Sequence, residues 1–160
     1  MMEFRMIDVI TDRKTMVSFR KDSYVVSFGS EEGFGDEDDY MKRIEDRMIR
    51  FPEGIVLVEH DGIPIGQIEL QIVHYQGKDI GYVNLFYLTP ENRSKGFGKQ
   101  LVAYAESFFN RQQVNEYHLR VSPTNFHAVR FYEKHGLKIL EKEQNKYEVW
   151  RMIKELNPKL

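Results

Sequence analysis

Residues 82–110 read Tyr-Val-Asn-Leu-Phe-Tyr-Leu-Thr-Pro-Glu-Asn-Arg-Ser-Lys-Gly-Phe-Gly-Lys-Gln-Leu-Val-Ala-Tyr-Ala-Glu-Ser-Phe-Phe-Asn. Apolar and aromatic residues fill 82–88 almost without a break, which is typical of a strand buried on both faces. Pro90 cannot donate to a β-ladder and ends this strand. After Gly98 the apolar residues share one helix face, at Leu101, Val102, Ala105, Phe108 and Phe109. The stretch therefore predicts a strand, a tight turn and a helix.

The turn between this strand and helix has the chemistry of an anion-binding loop. Its sequence is Arg93-Ser94-Lys95-Gly96-Phe97-Gly98. Glycine permits a sharp backbone turn and lets a ligand approach the chain closely. The first N–H groups of a helix have no partner inside it, and with the helix dipole they favour an anion. Three cations, Arg93, Lys95 and Lys99, add charge, so we expect a phosphate or pyrophosphate here. The alternative is a turn that binds no ligand.

The spacing of the glycines excludes two common phosphate-binding motifs. A Walker loop continues from Gly-Lys into Ser or Thr, whereas Gln100 follows Gly98-Lys99 here. A dinucleotide fingerprint has a third glycine three residues after the second, where this chain has Leu101. The remaining pattern, Arg-x-x-Gly-x-Gly after a strand, resembles the acetyl-CoA loop of the GCN5-related N-acetyltransferase (GNAT) family.

A second segment, residues 122–137, resembles the other GNAT signature, Asn-x-x-Ala-x-x-Phe-Tyr-x-x-x-Gly-Phe. Leu137 stands where the family usually has Phe, and the matching residues are Asn125, Ala128, Phe131, Tyr132 and Gly136. The two signatures occur in the family's order and at its usual separation, and the resemblance covers nearly the whole chain. It implies one α/β domain over residues 1–160. Its sheet would be mixed and mostly antiparallel, with a central pair of parallel strands that splay apart and about four helices.

The resemblance also implies roles for single residues. In GNAT proteins the backbone of the central strand binds the pantetheine arm, and this role falls on Phe86, Tyr87 and Leu88. The loop amides that bind the pyrophosphate correspond to residues 93–98, with Lys99 adjacent; they are Arg93, Ser94, Lys95, Gly96, Phe97 and Gly98. Asn125 matches a residue that contacts the cofactor. Tyr132 matches a tyrosine that lies near the thioester sulfur and protonates the leaving thiolate.

A general base is needed because a lysine-type amine, with a pKa of about 10.4, is almost wholly protonated at neutral pH. Some GNAT members carry a glutamate on the central strand, at the position of Tyr82 here. Glu69 and His74, on the preceding strand, are the substitutes, acting directly or through water. A Glu or His on a strand is more often a structural residue, and this alternative stays open for both.

Composition narrows the function classes. The chain has 160 residues and a net charge of −2, so no global charge attracts it to nucleic acid or membrane. It has no cysteine, which excludes disulfides, thiolate nucleophiles and Cys-ligated zinc. The histidines lack metal-ligand spacing, so we expect no metal. The N-terminus has no apolar signal region, and we expect a cytoplasmic protein.

Periodicity and turn residues predict the remaining elements. The first helix has Thr11 or Asp12 as its cap, and the segment 24–35 is not assigned. The predicted elements are a strand over 4–10, a helix from 13 to 22 or 23, a helix over 40–51, antiparallel strands over 55–59 and 63–75, a strand over 117–121, a helix after 125, and a hairpin of 137–140 with 147–153.

The resemblance implies an enzyme that moves an acetyl group from acetyl-CoA to a primary amine by direct attack in a ternary complex. The acceptor pocket should come mainly from residues 13–51. Acids cluster at 31–39, either as a solvated helix start, which we prefer, or as a rim that attracts a cationic amine. A small-molecule amine, a protein amine and a homodimer through the final hairpin all stay open.

The alternative from another class is a non-catalytic acyl-CoA-binding sensor on the same fold. The missing acid at Tyr82 favours it, whereas Asn125 and Tyr132 argue for an enzyme. A phosphoryl-transfer enzyme is a distant third, because the Walker lysine–hydroxyl pair is absent.

Overall fold

The structure is a computed structural model that describes residues 2–156. Short 3₁₀ turns lie at Glu32–Phe34, Pro52–Gly54 and Pro90–Asn92. The strands and α-helices of this range follow in the order β1 (Met2–Met6), α1 (Arg13–Phe28), α2 (Glu37–Arg50), β2 (Ile55–His60), β3 (Ile63–Tyr75), β4 (Lys78–Leu88), α3 (Phe97–Arg111), β5 (Glu116–Val121), α4 (Phe126–Lys134), β6 (Lys138–Gln144) and β7 (Glu148–Glu155).

All seven of these strands form one mixed sheet, in the order β1-β2-β3-β4-β5-β7-β6. Only β4 and β5 are parallel, and they pair over just Gly81–Val83 and Tyr117–Leu119. Beyond that point β4 continues to Leu88 without a paired residue on β5. The register of β3 with β4 shifts so that Asn84 is an extra residue, and such a bulge bends its strand. The predicted α/β class and central parallel pair are confirmed.

Two hydrophobic cores hold the helices on opposite faces of the sheet. On one face α1 and α2 pack on Ile55 and Leu57 of β2. On the other face α3 packs on β3, β4 and β5 through its stripe of Leu101, Val102, Ala105, Phe108 and Phe109. The predicted helical stripe is therefore the buried face. No helix within residues 2–156 combines the length and apolar character needed to cross a membrane.

Helix α1 is longer than its periodicity indicates. The expectation that it ends near Asp22 or Ser23 is wrong, because it continues to Phe28 and ends at Gly29, whose φ is 78°. Long-range aromatic contacts hold the extra turn: Tyr24 packs edge-on against Phe34, and Phe28 stacks on Tyr147 at a centroid distance of 4.3 Å. These partners are distant in sequence, so no local pattern indicates them.

The first strand is shorter than predicted and the first helix is not capped as predicted. The strand ends at Met6, because the Asp8 side chain accepts backbone N–H bonds from Ile10 and turns the chain. Asp12 occupies the N-cap position of α1 without a side-chain cap bond. Its carboxylate accepts two hydrogen bonds from Arg5, at 3.0 Å each. That ion pair joins β1 to α1 instead.

Candidate functional site

A cleft of about 1280 Å³ opens where β4 and β5 separate. Its walls are β4, the loop before α3, α4, the C-terminal half of α1 and the turn between β6 and β7. Lys95 and Phe97 are the predicted cofactor residues that do not line it: Lys95 is exposed, and Phe97 packs against the His60 ring. The predicted cofactor residues that do line it are Phe86, Tyr87, Leu88, Arg93, Ser94, Gly96, Gly98, Lys99, Asn125 and Tyr132.

The two glycines of the loop are required for different reasons. Gly96 is the N-cap of α3 and has a φ of 86°, a conformation that side chains disfavour, but its surroundings are open. Gly98 lies in the first turn of α3, and a Cβ there would lie 2.8 Å from Cζ of Phe131. The absence of a side chain at Gly98 therefore lets α4 pack directly on α3. This contact joins the two sequence signatures into one site.

The side chain of Arg93 fixes the loop to its neighbours. Its Nε donates to the carbonyl of Leu88 at 2.8 Å, and a terminal nitrogen donates to Asp22 of α1 at 3.0 Å. The same Asp22 oxygen accepts the hydroxyl of Tyr87 at 2.6 Å. Burial and then this hydrogen bond raise the pKa of Tyr87. Sequence reasoning missed Asp22, since nothing local marks an aspartate in a helix as the partner of a distant loop.

Asn125 begins α4 as its N-cap. Its Oδ1 accepts the backbone N–H of Ala128 at 3.3 Å, which stabilises the first turn. Because Asn125 also lines the cleft, its amide nitrogen can donate to a ligand. The residue that was expected to contact a cofactor thus also starts the helix that carries Tyr132.

Tyr132 faces the cleft from α4. Its ring lies against Phe86 of β4, at a centroid distance of 6.3 Å, and against Phe131. Within residues 2–156 its hydroxyl has no hydrogen-bond partner, so it is available to a ligand. Burial raises the pKa of Tyr132, and the hydroxyl therefore keeps its proton through the neutral range. The side chain is a proton or hydrogen-bond donor.

Glu69 lies outside the lining of the cleft. It is fully buried on the α2 side of the sheet, where its carboxylate accepts hydrogen bonds from Tyr40 and Gln67. The same carboxylate forms an ion pair with Arg47 at 3.4 Å. His74 is exposed at the far end of β3 and pairs with Asp79 at 3.2 Å. The structure brings neither residue to the cleft wall, and the general base stays a prediction.

The cleft lining is cationic beyond the predicted loop cations Arg93 and Lys99. Within residues 2–156 it includes no aspartate or glutamate, whereas its cations are Arg20, Arg93, Lys99, Arg120, Lys134 and Lys146. The described residues also contain no group of three or more His, Asp or Glu side chains that could hold a metal. Arg93, Arg120 and Lys146 are paired with carboxylates that lie outside the lining. The side chains that face a ligand are therefore cationic, although part of their charge is compensated behind them.

The acidic run of 31–39 divides into two parts. Asp36 caps α2 by accepting the N–H of Asp39 at 3.0 Å. Glu37 and Asp38 both pair with Arg13 of α1, at 3.1 and 2.6 Å. The structure thus supports the interpretation of these three acids as a helix start. Glu32, by contrast, adjoins the cleft, because it pairs with the lining residue Lys146 at 3.8 Å.

A hydrogen-bonded network of charged and polar side chains lies where β5, β6 and β7 meet the cleft. Arg120 donates from Nε to Glu143 at 2.7 Å and from one terminal nitrogen to the Tyr82 hydroxyl at 3.3 Å. Arg151 donates to the same Glu143 at 3.1 Å and to Nδ1 of His118 at 2.9 Å. Each carboxylate oxygen of Glu143 therefore accepts from one arginine. Tyr82, at the position of the missing glutamate, serves as an acceptor for Arg120.

The tautomer of His118 follows from these contacts. Its Nδ1 accepts from Arg151, which is always a donor, so the proton lies on Nε2 and is donated to Glu116 at 2.6 Å. Burial, opposed by the Glu116 hydrogen bond, lowers the pKa of His118. The imidazole is therefore neutral and structural, and its ring stacks edge-on against Tyr75.

Comparison with known proteins adds an independent observation. Residues 16–137 match the acetyltransferase (GNAT) family. No curated protein sequence matches the chain. Among solved structures, the PaiA N-acetyltransferase of Thermoplasma acidophilum in complex with coenzyme A is 23% identical, with a TM-score of 0.76 over 97% of this chain and 99% of that one.

Two other solved structures have a similar overall fold. Naa50 of Arabidopsis thaliana, in complex with the bisubstrate analogue CoA-Ac-MVNAL, is 18% identical, with a TM-score of 0.74 over 96% of this chain and 97% of that one. YncA, a putative acetyltransferase of Salmonella typhimurium with acetyl-CoA, is 15% identical, with a TM-score of 0.73 over 100% of this chain and 96% of that one. At such identities the likeness shows the fold alone.

Proposed function

The chain belongs to the acetyltransferase (GNAT) family, and from that membership we propose that it moves an acetyl group from acetyl-CoA to a primary amine within a ternary complex. One observation carries the proposal. The loop of the first signature and Tyr132 of the second line the same cleft, although more than 30 residues separate Gly98 from Tyr132 in the sequence. An anion-binding loop and a proton donor on one cleft suit a phosphate-bearing thioester.

The donor substrate fits the end of the cleft near α3. The pyrophosphate would lie on the amides of residues 94–99 at the N-terminus of α3, with Lys99 beside them. The edge of β4 supplies the next contacts. Because β4 pairs with β5 only as far as Val83, the backbone groups of 84–88 on that side are unpaired with β5, and all but the Leu88 carbonyl, which accepts from Arg93, are available to the amides of the pantetheine arm. Phe86, Tyr87 and Leu88 are the residues proposed to bind this arm.

The proposed chemistry needs no covalent enzyme intermediate. The neutral amine attacks the thioester carbonyl carbon, the C–N bond forms and the C–S bond breaks. A backbone N–H of β4 can stabilise the oxyanion that develops on the carbonyl oxygen. The Tyr132 hydroxyl gives its proton to the leaving sulfur, so that CoA departs as a thiol. The proton that the amine nitrogen loses on becoming an amide then returns, through solvent, to the Tyr132 oxygen, which restores the enzyme. Because burial raises the pKa of Tyr132, the hydroxyl is protonated when the sulfur needs it.

The proton of the attacking ammonium must leave before attack. Glu69 remains the candidate base of this proposal, although its burial outside the cleft lining would require a relay to the amine. The cationic lining offers another route, because nearby guanidinium groups lower the pKa of an amine and raise its neutral fraction. A Glu69→Gln variant separates these two routes of deprotonation. Full turnover in this variant would assign the deprotonation of the amine to the cationic lining.

Calorimetric titration with acetyl-CoA and with CoA tests the proposal. We expect saturable one-site binding of both, followed by acceptor-dependent release of thiol. The assay for thiol has no background from the protein, since the chain contains no cysteine. Folded protein that binds neither ligand would overturn the proposal. Binding without transfer to any amine would instead favour the acyl-CoA sensor, for which the absence of a carboxylate from the described cleft lining is the structural argument.

A further inference from the structure

The part of the cleft that the donor substrate does not need is called here the acceptor end. It is lined by the C-terminal half of α1, by the ends of β4 and β5 and by the β6–β7 turn, and its main residues are Arg20, Tyr24, Phe28, Tyr82, Arg120 and Tyr147. Tyr82 and Arg120 belong to the sheet face opposite to α3, because they alternate with the buried Val83, Leu119 and Val121. An acceptor would therefore approach from the side opposite to the helices that hold the cofactor.

Arg120 presents a free hydrogen-bonding edge. Its side chain is 41% exposed, and Glu143 and Tyr82 engage only its Nε and one terminal nitrogen. A guanidinium has five N–H donors, so the remaining donors can bind a carboxylate in bidentate fashion. The contacts to Glu143 and Tyr82 also fix the orientation of the group, which lowers the entropy lost when it binds a ligand.

Arg20 supplies a second charge at this end. It lies half-buried on α1, where its guanidinium bonds the Ser23 hydroxyl at 3.3 Å and lies over the Tyr24 ring. Within residues 2–156 no carboxylate lies within ion-pair distance of Arg20. A half-buried arginine without a counter-charge is costly, and an anionic ligand would reduce that cost.

The acceptor end is unsuited to a cationic amine. The acids that contact its lining residues are already paired: Glu143 accepts from Arg120 and Arg151, Asp22 accepts from Arg93 and Tyr87, and Glu32 pairs with Lys146 at 3.8 Å. A polyamine would therefore have to displace a cation of the protein in order to bind a carboxylate. An amine that also carries an anionic group would bind the arginines through that group.

Contacts across this end limit the size of the acceptor. The Phe28 ring stacks on Tyr147 at 4.3 Å, so the end of α1 touches the β6–β7 turn. The hydroxyl of Thr124 adds a hydrogen bond to the carbonyl of Ser27 at 3.3 Å. Because α1 and the turn meet, the cleft is bounded there, and a short molecule fits better than an extended chain.

We propose that the acceptor is a small primary amine bearing a carboxylate, as in a free amino acid, and that the carboxylate binds Arg120 with the support of Arg20. This inference rests on the proposed function, because it identifies the second substrate of the same cleft. In the reaction, the amine nitrogen gains the acetyl group and the carboxylate stays bound and unchanged.

A matched panel of acceptors tests the inference. Each free amino acid is compared with three other acceptors: its own carboxamide, a tripeptide that begins with the same residue, and spermidine. The measured quantity is kcat/KM, corrected for the fraction of each amine that is neutral at the assay pH. We expect the free amino acid to exceed its carboxamide by about tenfold or more, the size of one hydrogen bond to a charged group. Arg120→Gln should remove this ratio, because it lowers kcat/KM of the free amino acid by more than it lowers kcat/KM of the carboxamide. Arg120→Lys should restore part of it.

The controls separate this inference from the proposed function. Lys142→Gln removes an exposed cation outside the cleft lining and should leave the ratio unchanged. A carboxamide, spermidine or tripeptide that matches the amino acid would overturn the inference while the transferase proposal stands. A ratio that Arg120→Gln does not alter, with the variant folded by circular dichroism, would also overturn it. Acetyl-CoA binding without transfer to any member of the panel would overturn the proposed function and this inference together.

Discussion

The two ends of the cleft are built in different ways. The end near α3 uses two short segments, 84–99 and 125–132, and each has its conformation set by near neighbours: glycines, a helix N-terminus and the Asn125 cap. The acceptor end joins Arg20 of α1, Arg120 of β5 and Tyr147 after β6, which are far apart in sequence. The proposed site of the donor substrate is therefore built mainly from local motifs, whereas the proposed acceptor end is a surface that only tertiary contacts assemble.

This difference has a consequence for evolution and for design. A local motif tolerates few substitutions, because each glycine or helix cap is needed for one backbone conformation. The acceptor end can change with any of three elements without altering the loop. Variants should accordingly affect acetyl-CoA binding or acceptor selection, but rarely both.

The largest effect is expected at Tyr132, which lies between the two ends. Tyr132→Phe should lower kcat by about 100-fold, the usual contribution of a positioned proton donor, and leave the dissociation constant of acetyl-CoA within about twofold. Because burial raises the pKa of Tyr132, the wild-type rate should show no loss from its ionisation between about pH 7 and 9. Steady-state kinetics and calorimetry measure both constants.

A matched control is Tyr104→Phe, which removes a hydroxyl that donates to the carbonyl of Glu53 outside the cleft lining. It should keep full turnover. An unchanged kcat in Tyr132→Phe would remove the donor role and leave Tyr132 as a packing residue.

The second effect concerns only the end near α3. Gly98→Ala places a Cβ 2.8 Å from the Phe131 ring, and overpacking of this kind costs about 1–3 kcal/mol of the free energy of unfolding. We expect weaker acetyl-CoA binding with unchanged acceptor selectivity. Phe131→Leu should relieve the clash, so that the double variant is more stable than the sum of the single changes.

Gly96→Ala is the comparison for this variant. Its surroundings are open, so the cost comes only from the φ of 86° and should not respond to Phe131→Leu. Urea denaturation of the single and double variants measures the coupling. If the changes in unfolding free energy of Gly98→Ala and Phe131→Leu are additive, the contact between these residues does not join the two signatures.

The third effect concerns only the acceptor end. Tyr147→Ala removes the stack on Phe28, which should cost about 1 kcal/mol of the free energy of unfolding and raise the KM of the acceptor several-fold. The dissociation constant of acetyl-CoA should stay unchanged, and tripeptides should become better acceptors as the end opens. If acetyl-CoA binding weakens as much as acceptor binding, the two ends are not independent.

The smallest effect is a pH dependence of stability in the strands behind the acceptor end. Burial lowers the pKa of His118 below its ordinary value of 6.5, so the unfolded chain binds this proton more readily than the folded one. The stability contributed by the neutral ring is present above pH 6.5 and is lost as the pH falls through that value. Unfolding free energies between about pH 5.5 and 8 should show this slope in the wild type.

His118→Gln should flatten the slope, because it removes the titrating ring from between Glu116 and Arg151. His127→Gln, at an exposed position, should leave the slope as it is. An identical slope in both variants would show that His118 binds its proton equally well in the folded and unfolded states, and would contradict the lowered pKa.

Much of the fold could be predicted because its signals are local. The buried strand at 82–88, the stripe of α3 and the Asn125 start of α4 each follow from residues within a few positions of one another. The end of α1 could not be predicted, since its last turn is held by Phe34 and Tyr147. The pairing of Arg93 with Asp22 was missed for the same reason: 71 positions separate them in sequence.

The sequence by itself determined the family, the central strand and the loop, and it placed Tyr132 on the helix after Asn125, because glycine conformation, helix caps and hydrophobic periodicity act over short spans of chain. Only the tertiary structure decided that Glu69 is buried away from the cleft, that Glu143 is held by two arginines and that the acceptor end is cationic. Net charge and local composition do not predict this, because burial and ion pairing depend on which distant side chains the folded chain brings together.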